Sequence, residues 1–125
     1  MSRICTPVVA SSSAAFTPSC TVIPAATTVT IRLIDAYSVK PIDGHGIAKA
    51  VRETGGRLVI AEDHWPEGGL GDAVVSALVG LGVKDIALRH LAVHDMPGSG
   101  KPAELVAAAG IASKDIAVAV RALLT

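Results

Sequence analysis

The chain has 125 residues and very few aromatic side chains, with a single Trp, a single Tyr and a single Phe. Half of its residues are nevertheless apolar, so any core has to be built from Val, Ile, Leu and Ala. A chain of this length forms one small domain at most, and the core that it can bury is modest. Each element that contributes to that core therefore matters for stability.

The sequence also lacks a surplus of either charge, since 11 basic residues balance 11 acidic ones. No basic excess indicates nucleic acid as a partner, and no basic amphipathic helix indicates a membrane surface. The apolar runs are far shorter than the roughly 18 residues that a membrane span requires. We therefore predict no nucleic-acid partner, no membrane partner and a cytoplasmic location.

Cysteine is scarce as well, and the two that are present, Cys5 and Cys20, lie near the N-terminus. They have no C-x-x-C spacing and no nearby His, so we predict no metal site there.

Residues 1–28 have an unusual composition, with Arg3 as their one charged residue and Ser, Thr, Ala and Pro dominating. Neither helical nor strand periodicity persists in this segment. We predict a low-complexity, disordered tail over residues 1–28 and a folded domain over residues 29–125. A targeting segment is the alternative, because such peptides are Ser-rich and poor in acids, but an Arg-rich amphipathic pattern is missing.

From residue 29 onward the pattern predicts three strands, over residues 29–35, 57–62 and 86–92. The segment "RLVIAE" is continuously apolar, which is typical of a strand buried on both faces. Between the first two strands, Asp43 can cap a helix that carries Ile47 and Val51 on one face. Gly55 and Gly56 are positioned to end that helix.

Three further helices follow from the same rules. The helix after the second strand has apolar residues at i, i+3, i+4 and i+7, namely Val74, Ala77, Leu78 and Leu81. A short helix begins at Pro102 and ends at Gly110. Ser113 is placed to cap the last helix, whose apolar face comprises Ile116, Val120, Leu123 and Leu124. Alternation of strands and helices predicts an α/β domain with a mostly parallel sheet.

Polar and aromatic side chains follow all three predicted strands. In open parallel sheets ligands bind outside the carboxyl ends of the strands, so these residues form a candidate binding rim. They are Asp35, Tyr37, Glu62, Asp63, His64, Trp65, His94 and Asp95. Polar residues also accumulate at strand ends because loops are solvated, and that interpretation stays open.

Three short motifs resemble known binding sites in part. The glycines of "GGLG" could offer N–H groups to a phosphate, but Val74 replaces the third glycine of the dinucleotide fingerprint, so a tight turn is favoured. "GSGKP" is not a P-loop, because Pro102 stands where a Ser or Thr must bind Mg²⁺. His90 and His94 would lie about 13 Å apart on a strand, too far to share a metal, and are interpreted as surface or rim residues.

Over residues 29–124 the chain resembles the C-terminal domain of transketolase. The resemblance rests on "LIDAYSVKPID", "GGRLVIAEDHWPEGGLGDAV", "LAVHDMP", "SGKPAEL" and "GIASKDIAVAVRALL". It implies a three-layer α/β/α, Rossmann-like domain. The family's domain begins with another strand and helix before "LIDAYSVKPID", and here the tail replaces both, so a truncation on the N-terminal side is expected.

Transketolase transfers a two-carbon ketol unit between sugar phosphates in the pentose phosphate pathway. It uses thiamine diphosphate and a divalent metal such as Mg²⁺ or Ca²⁺, held by two preceding domains at a homodimer interface. The resemblance therefore implies no catalytic, cofactor-binding or metal-binding residue in this chain. It implies a structural or regulatory fragment, inactive alone, with its partners being the cofactor-binding domains and a second subunit.

Under this interpretation, "EDHWPEGGLG" (residues 62–71) is a strand–loop–helix junction in which Trp65 anchors the loop against a neighbouring element. The rim residues then serve an interface or a regulatory site. The competing hypothesis is a free-standing α/β module that binds a small ligand at the polar rim.

Overall fold

A computed structural model describes residues 4–9 and 29–125 of the chain. Five strands and four helices lie in these ranges. The strands are β1 (Ile4–Val9), β2 (Thr30–Ile31), β3 (Ile34–Asp35), β4 (Arg57–Ala61) and β5 (Ala87–Leu91). The helices are α1 (Gly44–Glu53), α2 (Leu70–Gly80), α3 (Pro102–Ala108) and α4 (Ser113–Ala122). None of these helices is long and apolar enough to span a membrane.

All strand pairs in the sheet are parallel, in the order β2-β1-β4-β5, and β3 also pairs with β1. The predicted strand over residues 29–35 is therefore two short pieces that share one neighbour. Cys5 pairs with Ile31 and Val8 pairs with Ile34, so the register is the same on both sides of the break. Pro7 lies at the level of the break and has no backbone N–H, which leaves β1 one ladder donor short.

The strand β1 was not expected, because residues 1–28 were predicted to form a tail. The six residues of β1 occupy the centre of the sheet, between β4 on one side and β2 and β3 on the other. A short apolar run is long enough for a buried strand, and β4 needs hydrogen-bond partners along both edges. The Ser- and Thr-rich surroundings conceal that run in the sequence. Residues 1–3 and 10–28 lie outside the described ranges, so a domain boundary near residue 28 stays a prediction.

On one face of the sheet, α1 and α2 enclose the larger core cluster. Val51 from α1 and Val74 and Leu78 from α2 pack against Leu58 and Ile60 of β4, and all five side chains are buried. The predicted helical faces are confirmed here. The prediction that β4 is buried on both faces is confirmed as well, because Leu58, Val59, Ile60 and Ala61 are all buried.

On the other face, α4 covers β4 through a second cluster. Val59 is fully buried there against Ala119 and Val120. The Arg57 Nε–H also donates to the Leu123 carbonyl over 2.9 Å, which ties the end of α4 to the start of β4. The sheet thus lies between helices on both faces, as the predicted three-layer α/β/α class requires.

Helix α1 begins and ends as the sequence predicts. The Asp43 carboxylate accepts from the Gly46 N–H over 2.9 Å, which satisfies one of the unpaired donors of the first turn. Gly55 and Gly56 have φ of +68° and +79°, and the Gly56 N–H donates back to the Val51 carbonyl. This is the left-handed termination that glycine accepts without steric cost.

The start of α4 differs from the prediction, because the N-cap is Ala112 and Ser113 is the first helical residue. Ala has no side-chain acceptor for the first turn. The Asp115 carboxylate instead accepts from the Ala112 N–H over 3.0 Å. An acid in the first turn is also favoured by the helix dipole, so Asp115 stabilises this end in place of Ser113.

The edge formed by β2 and β3 keeps two apolar side chains largely in solvent. Ile31 is 51% exposed and Leu33 is 45% exposed, whereas Ile34 packs against the larger cluster. Because side chains alternate between the two faces of a sheet, Ile31 and Leu33 belong to the same face that α4 covers farther along the sheet. The helix layer on that face is therefore incomplete over this edge in the described part of the chain.

We predict that replacing both Ile31 and Leu33 with Thr lowers the binding of a hydrophobic dye to the purified chain. Thr suits a strand, so the free energy of unfolding should change by less than about 1 kcal/mol. As a control, Ile60→Thr should cost about 3 kcal/mol, because Ile60 is fully buried. Dye fluorescence and urea titration measure the two quantities. Unchanged dye binding in the double variant would contradict the prediction.

Candidate functional site

The carboxylate of Glu62 is the centre of the site. Glu62 follows β4 and is only 5% exposed. Its Oε2 accepts from the Leu70 N–H over 2.5 Å and its Oε1 from the Gly71 N–H over 3.0 Å. Oε1 also lies 2.5 Å from His90 Nε2. One side chain thereby joins the end of β4 to the first turn of α2 and to β5.

Glu62 serves as the N-terminal cap of α2. Gly69 is the N-cap residue by backbone geometry but has no side chain to supply an acceptor. The first backbone N–H groups of a helix have no partner within the helix, and the helix dipole is positive at that end. A carboxylate from eight residues upstream meets both requirements. Charge-assisted hydrogen bonds of this kind are among the stronger ones in proteins.

His90 provides the third donor to Glu62. A carboxylate only accepts hydrogen bonds, so the proton is assigned to His90 Nε2. The His90 side chain is 23% exposed, which makes it half-buried. The sequence interpretation of His90 as a surface or rim residue did not include this contact with Glu62, towards which the ring is turned. The alternation of side chains along the strand could have indicated that His90 faces inward. Positions 86, 88 and 90 share one face, and Ile86 and Leu88 pack against the larger core.

The glycines of "GGLG" are required by these contacts. A Cβ atom added to Gly69 would overlap the Glu62 carboxylate, and one added to Gly71 would overlap the His90 ring. The absence of a side chain at both positions lets the loop approach the Glu62–His90 pair closely. This favours the interpretation of the motif as a tight structural turn.

The geometry disfavours a phosphate cradle at the same turn. The N–H groups of Leu70 and Gly71 already donate to Glu62, and the Gly68 N–H donates to Asp72 Oδ2 over 2.7 Å. A phosphate would have to displace two carboxylates and would be repelled by their charge. The helix end that could bind an anion is thus occupied by the protein's own acids.

The predicted rim separates into one buried residue and seven exposed ones. Glu62 points into the core rather than to the rim, because it shares the parity of Leu58 and Ile60 on β4. The exposed residues are Asp35, Tyr37, Asp63, His64, Trp65, His94 and Asp95. Asp35 is the last residue of β3, and the other six lie in the loops at the carboxyl ends of β3, β4 and β5, as the topology predicts.

Two of these loops are joined by hydrogen bonds beyond the strand ends. The Glu62 N–H donates to the Leu91 carbonyl over 3.0 Å, and the Val93 N–H donates to the His64 carbonyl over 2.9 Å. Trp65 lies in this pair of loops but is 41% exposed and belongs to neither core cluster. The expectation that Trp65 anchors the loop against a neighbouring element stays a prediction.

An open groove of about 700 Å³ lies beside the rim, between the segment that follows β3 and the first turns of α1. Most of its polar groups already have partners. Ser38 Oγ donates to the Pro41 carbonyl over 2.7 Å, Asp43 caps α1, and Arg32 pairs with Glu53. The groove therefore offers a ligand little fixed polar recognition.

No group of three or more His, Cys, Asp and Glu side chains that could hold a metal ion occurs within residues 4–9 and 29–125. The pair His90 and Glu62 binds the protein itself. Asp35, Asp63 and Asp95 lie at or after the ends of three different strands. The arrangement can stabilise a strand–loop–helix junction and can present an exposed edge to another molecule.

These features define a small three-layer α/β/α domain with a parallel sheet and a glycine-rich junction built around a buried carboxylate. A family model described as "Transketolase, C-terminal domain" matches residues 21–116. The chain belongs to this family, and the resemblance drawn from the sequence is confirmed.

Individual relatives agree with this assignment. The transketolase of Homo sapiens is 47% identical over 97 residues, which are 78% of this chain and 15% of the human protein. Transketolase-like protein 1 of Bos taurus is 46% identical over 96 residues, covering 77% of this chain and 16% of the bovine protein. The chain thus spans about one-seventh of the length of these relatives.

A solved structure named "Split gene transketolase, inactive beta4 tetramer" has a similar fold. Its TM-score is 0.72 at 25% sequence identity, and the match covers 96% of this chain and 39% of that chain.

We predict that Glu62→Gln destabilises the fold by about 2 kcal/mol. The Gln amide keeps one acceptor but places an NH₂ group against buried donors, which leaves polar groups unpaired. Glu67→Gln is the matched control in the same loop, where the side chain is exposed and the cost should stay below about 0.5 kcal/mol. Urea denaturation midpoints measure both. Equal stabilities of the two variants would rule out Glu62 as the cap of α2.

A second prediction tests the close approach at Gly71. Gly71→Ala should cost about 2 kcal/mol, because the new methyl group overlaps the His90 ring. The same substitution should cost less in a His90→Ala background, which gives a coupling energy of about 1 kcal/mol in a double-mutant cycle. Gly80→Ala is the control, since Gly80 ends α2 in open space and helix propensity favours Ala. Additive costs at positions 71 and 90 would exclude the proposed contact.

Proposed function

We propose that this chain serves as the C-terminal domain of a transketolase, an enzyme that transfers a two-carbon ketol unit between sugar phosphates in the pentose phosphate pathway. In this role it supports the structure of the enzyme, or its regulation, and supplies no catalytic group. Family membership over residues 21–116 supports the proposal. The observation that carries the non-catalytic role concerns Glu62, the one buried carboxylate among the described residues. Its side chain is used as an internal helix cap.

The described residues do not fit the cofactor of the family. Thiamine diphosphate is held through a divalent metal, and Mg²⁺ in such sites binds phosphate oxygens together with carboxylates and carbonyls. No suitable ligand cluster occurs in residues 4–9 and 29–125. The helix end nearest to the rim acids already binds Glu62. In the proposal, thiamine diphosphate and the Mg²⁺ or Ca²⁺ ion are therefore bound by other domains of the enzyme.

The proposed partners are those cofactor-binding domains and a second subunit. The relative named as an inactive β4 tetramer supports oligomeric association, because its fold matches nearly the whole of this chain. We also propose that the protein acts in the cytoplasm. The alternative, a free-standing module that binds a small ligand at the rim, has less support, because most polar groups of the adjacent groove are paired internally.

We predict that the purified chain binds no thiamine diphosphate and transfers no ketol unit by itself. Calorimetry with the cofactor and Mg²⁺ should give no saturable heat, and a coupled sugar-phosphate assay should match a heat-inactivated control. Saturable binding or turnover would overturn the proposal.

A hybrid enzyme provides the positive arm of this test. The segment of Homo sapiens transketolase that aligns with this chain is replaced by residues 29–125. We expect the hybrid to form the same oligomer as the human enzyme and to retain ketol transfer. A hybrid that folds but neither assembles nor turns over would contradict the proposed role.

A further inference from the structure

The chain has only one Tyr and one Trp, and both are exposed at the carboxyl edge of the sheet. Tyr37 is 90% exposed and Trp65 is 41% exposed. Met96, in the loop after β5, is 84% exposed. Neither core cluster contains any of the three. Tyr37 and Trp65 thus keep a large part of their apolar surface in contact with solvent.

These three residues lie along one edge. They follow β3, β4 and β5, and β1 lies between β3 and β4 in the sheet. Neighbouring strands are about 4.8 Å apart, so the three loops span about 14 Å. That width suits the centre of a protein–protein contact. Tyr, Trp and Met are also residue types that are enriched at protein interfaces relative to the rest of the surface.

The same edge of the sheet carries a net negative charge. Five exposed carboxylates lie in these loops or at the end of β3, on Asp35, Asp43, Asp63, Glu67 and Asp95. Only Lys40 and Lys101 oppose them, which gives a charge of −3 with His neutral, on a chain whose formal charge is zero. An apolar centre within an acidic border attracts a partner surface with a basic border, and it repels a second copy of itself.

We propose that Tyr37, Trp65 and Met96, with their acidic border, form a docking surface for a folded protein surface that has an apolar centre ringed by Lys and Arg side chains. The inference rests on the proposed function, and in that setting the partner surface belongs to the cofactor-binding part of the transketolase. We call this set of residues the docking rim. Direct binding of a small ligand and pairing with a second copy are the outcomes that the test has to separate.

Hydroxyl-radical footprinting reads this surface directly, because Met, Trp and Tyr side chains are readily oxidised. The free 125-residue chain is compared with the hybrid enzyme described above, and a reporter peptide in each sample corrects for radical dose. We expect oxidation of Tyr37, Trp65 and Met96 to be at least about fivefold slower in the hybrid, as for residues at the buried centre of an interface. Equal oxidation in the free chain and in an active hybrid overturns the proposal.

A matched pair of variants tests the energetic role of the docking rim. Tyr37→Ser with Met96→Ser removes two of its apolar side chains, whereas Val79→Ser with Val118→Ser removes two exposed apolar side chains from α2 and α4. In the hybrid, the first pair should restore Trp65 oxidation by at least about threefold, while the second pair leaves it unchanged. The free chain should melt at the same temperature with or without the first pair. Re-exposure of Trp65 by the control pair, or by neither pair, overturns the proposal.

Ionic strength and protein concentration distinguish a basic partner surface from the other possible occupants of the docking rim. Attraction to a basic border weakens as ionic strength rises, so Trp65 in the hybrid should be oxidised faster at 1 M salt than at about 0.1 M, where screening is weaker. Protection of the rim in the free chain that increases with protein concentration would indicate a second copy and overturn the proposal. Failure of the hybrid to fold or turn over would instead count against the proposed function. An active hybrid with an unprotected rim counts against the docking rim alone.

Discussion

The buried carboxylate of Glu62 is the constraint on which the carboxyl end of the sheet depends. It lies among two backbone N–H groups of α2 and the imidazole of His90, so three elements meet at one charged group. The first turn of α2 depends on this carboxylate, because α2 has no side-chain cap of its own. A buried charge is tolerated only when it is paired in this way. The position of Glu62 in turn dictates glycine at positions 69 and 71, because a side chain at either would occupy the space of the Glu62–His90 pair.

Much of the fold was predictable because it follows from local rules. The apolar faces of α1 and α2, the cap at Asp43 and the left-handed glycines at the end of α1 all depend on residues within a few positions of one another. The continuous apolar run of β4 also sufficed to identify a buried strand. The central strand β1 could not be predicted in this way. Its assignment depends on pairing with β4, some fifty residues away, and its surrounding composition indicates disorder. At α4, Asp115 took the capping role expected of Ser113, because an acid in the first turn can reach back to the backbone.

For the candidate site, too, features that depend on local sequence were predictable and features that depend on distant residues were not. Parallel topology correctly placed the polar residues of three loops on one edge of the sheet. It did not show that Glu62 points inward, although the alternation along β4 gives Glu62 the parity of Leu58 and Ile60. The hydrogen bond between Glu62 and His90 joins residues 28 positions apart and leaves no local pattern.

The buried and the exposed residues of "EDHWPEGGLG" therefore have different uses. Its buried half, Glu62 with Gly69 and Gly71, stabilises the junction and is fully occupied by internal contacts. Its exposed half, Asp63, Trp65 and Glu67, is accessible to solvent, as are Tyr37 and Met96 in the neighbouring loops. A loop that only closed a turn would gain nothing from an exposed indole, whose apolar surface is unfavourable in water. Because the internal contacts hold the junction rigid, the exposed half is presented in a fixed position. A fixed position reduces the entropy lost on association, and that is the property expected of a docking surface rather than of a mobile catalytic loop.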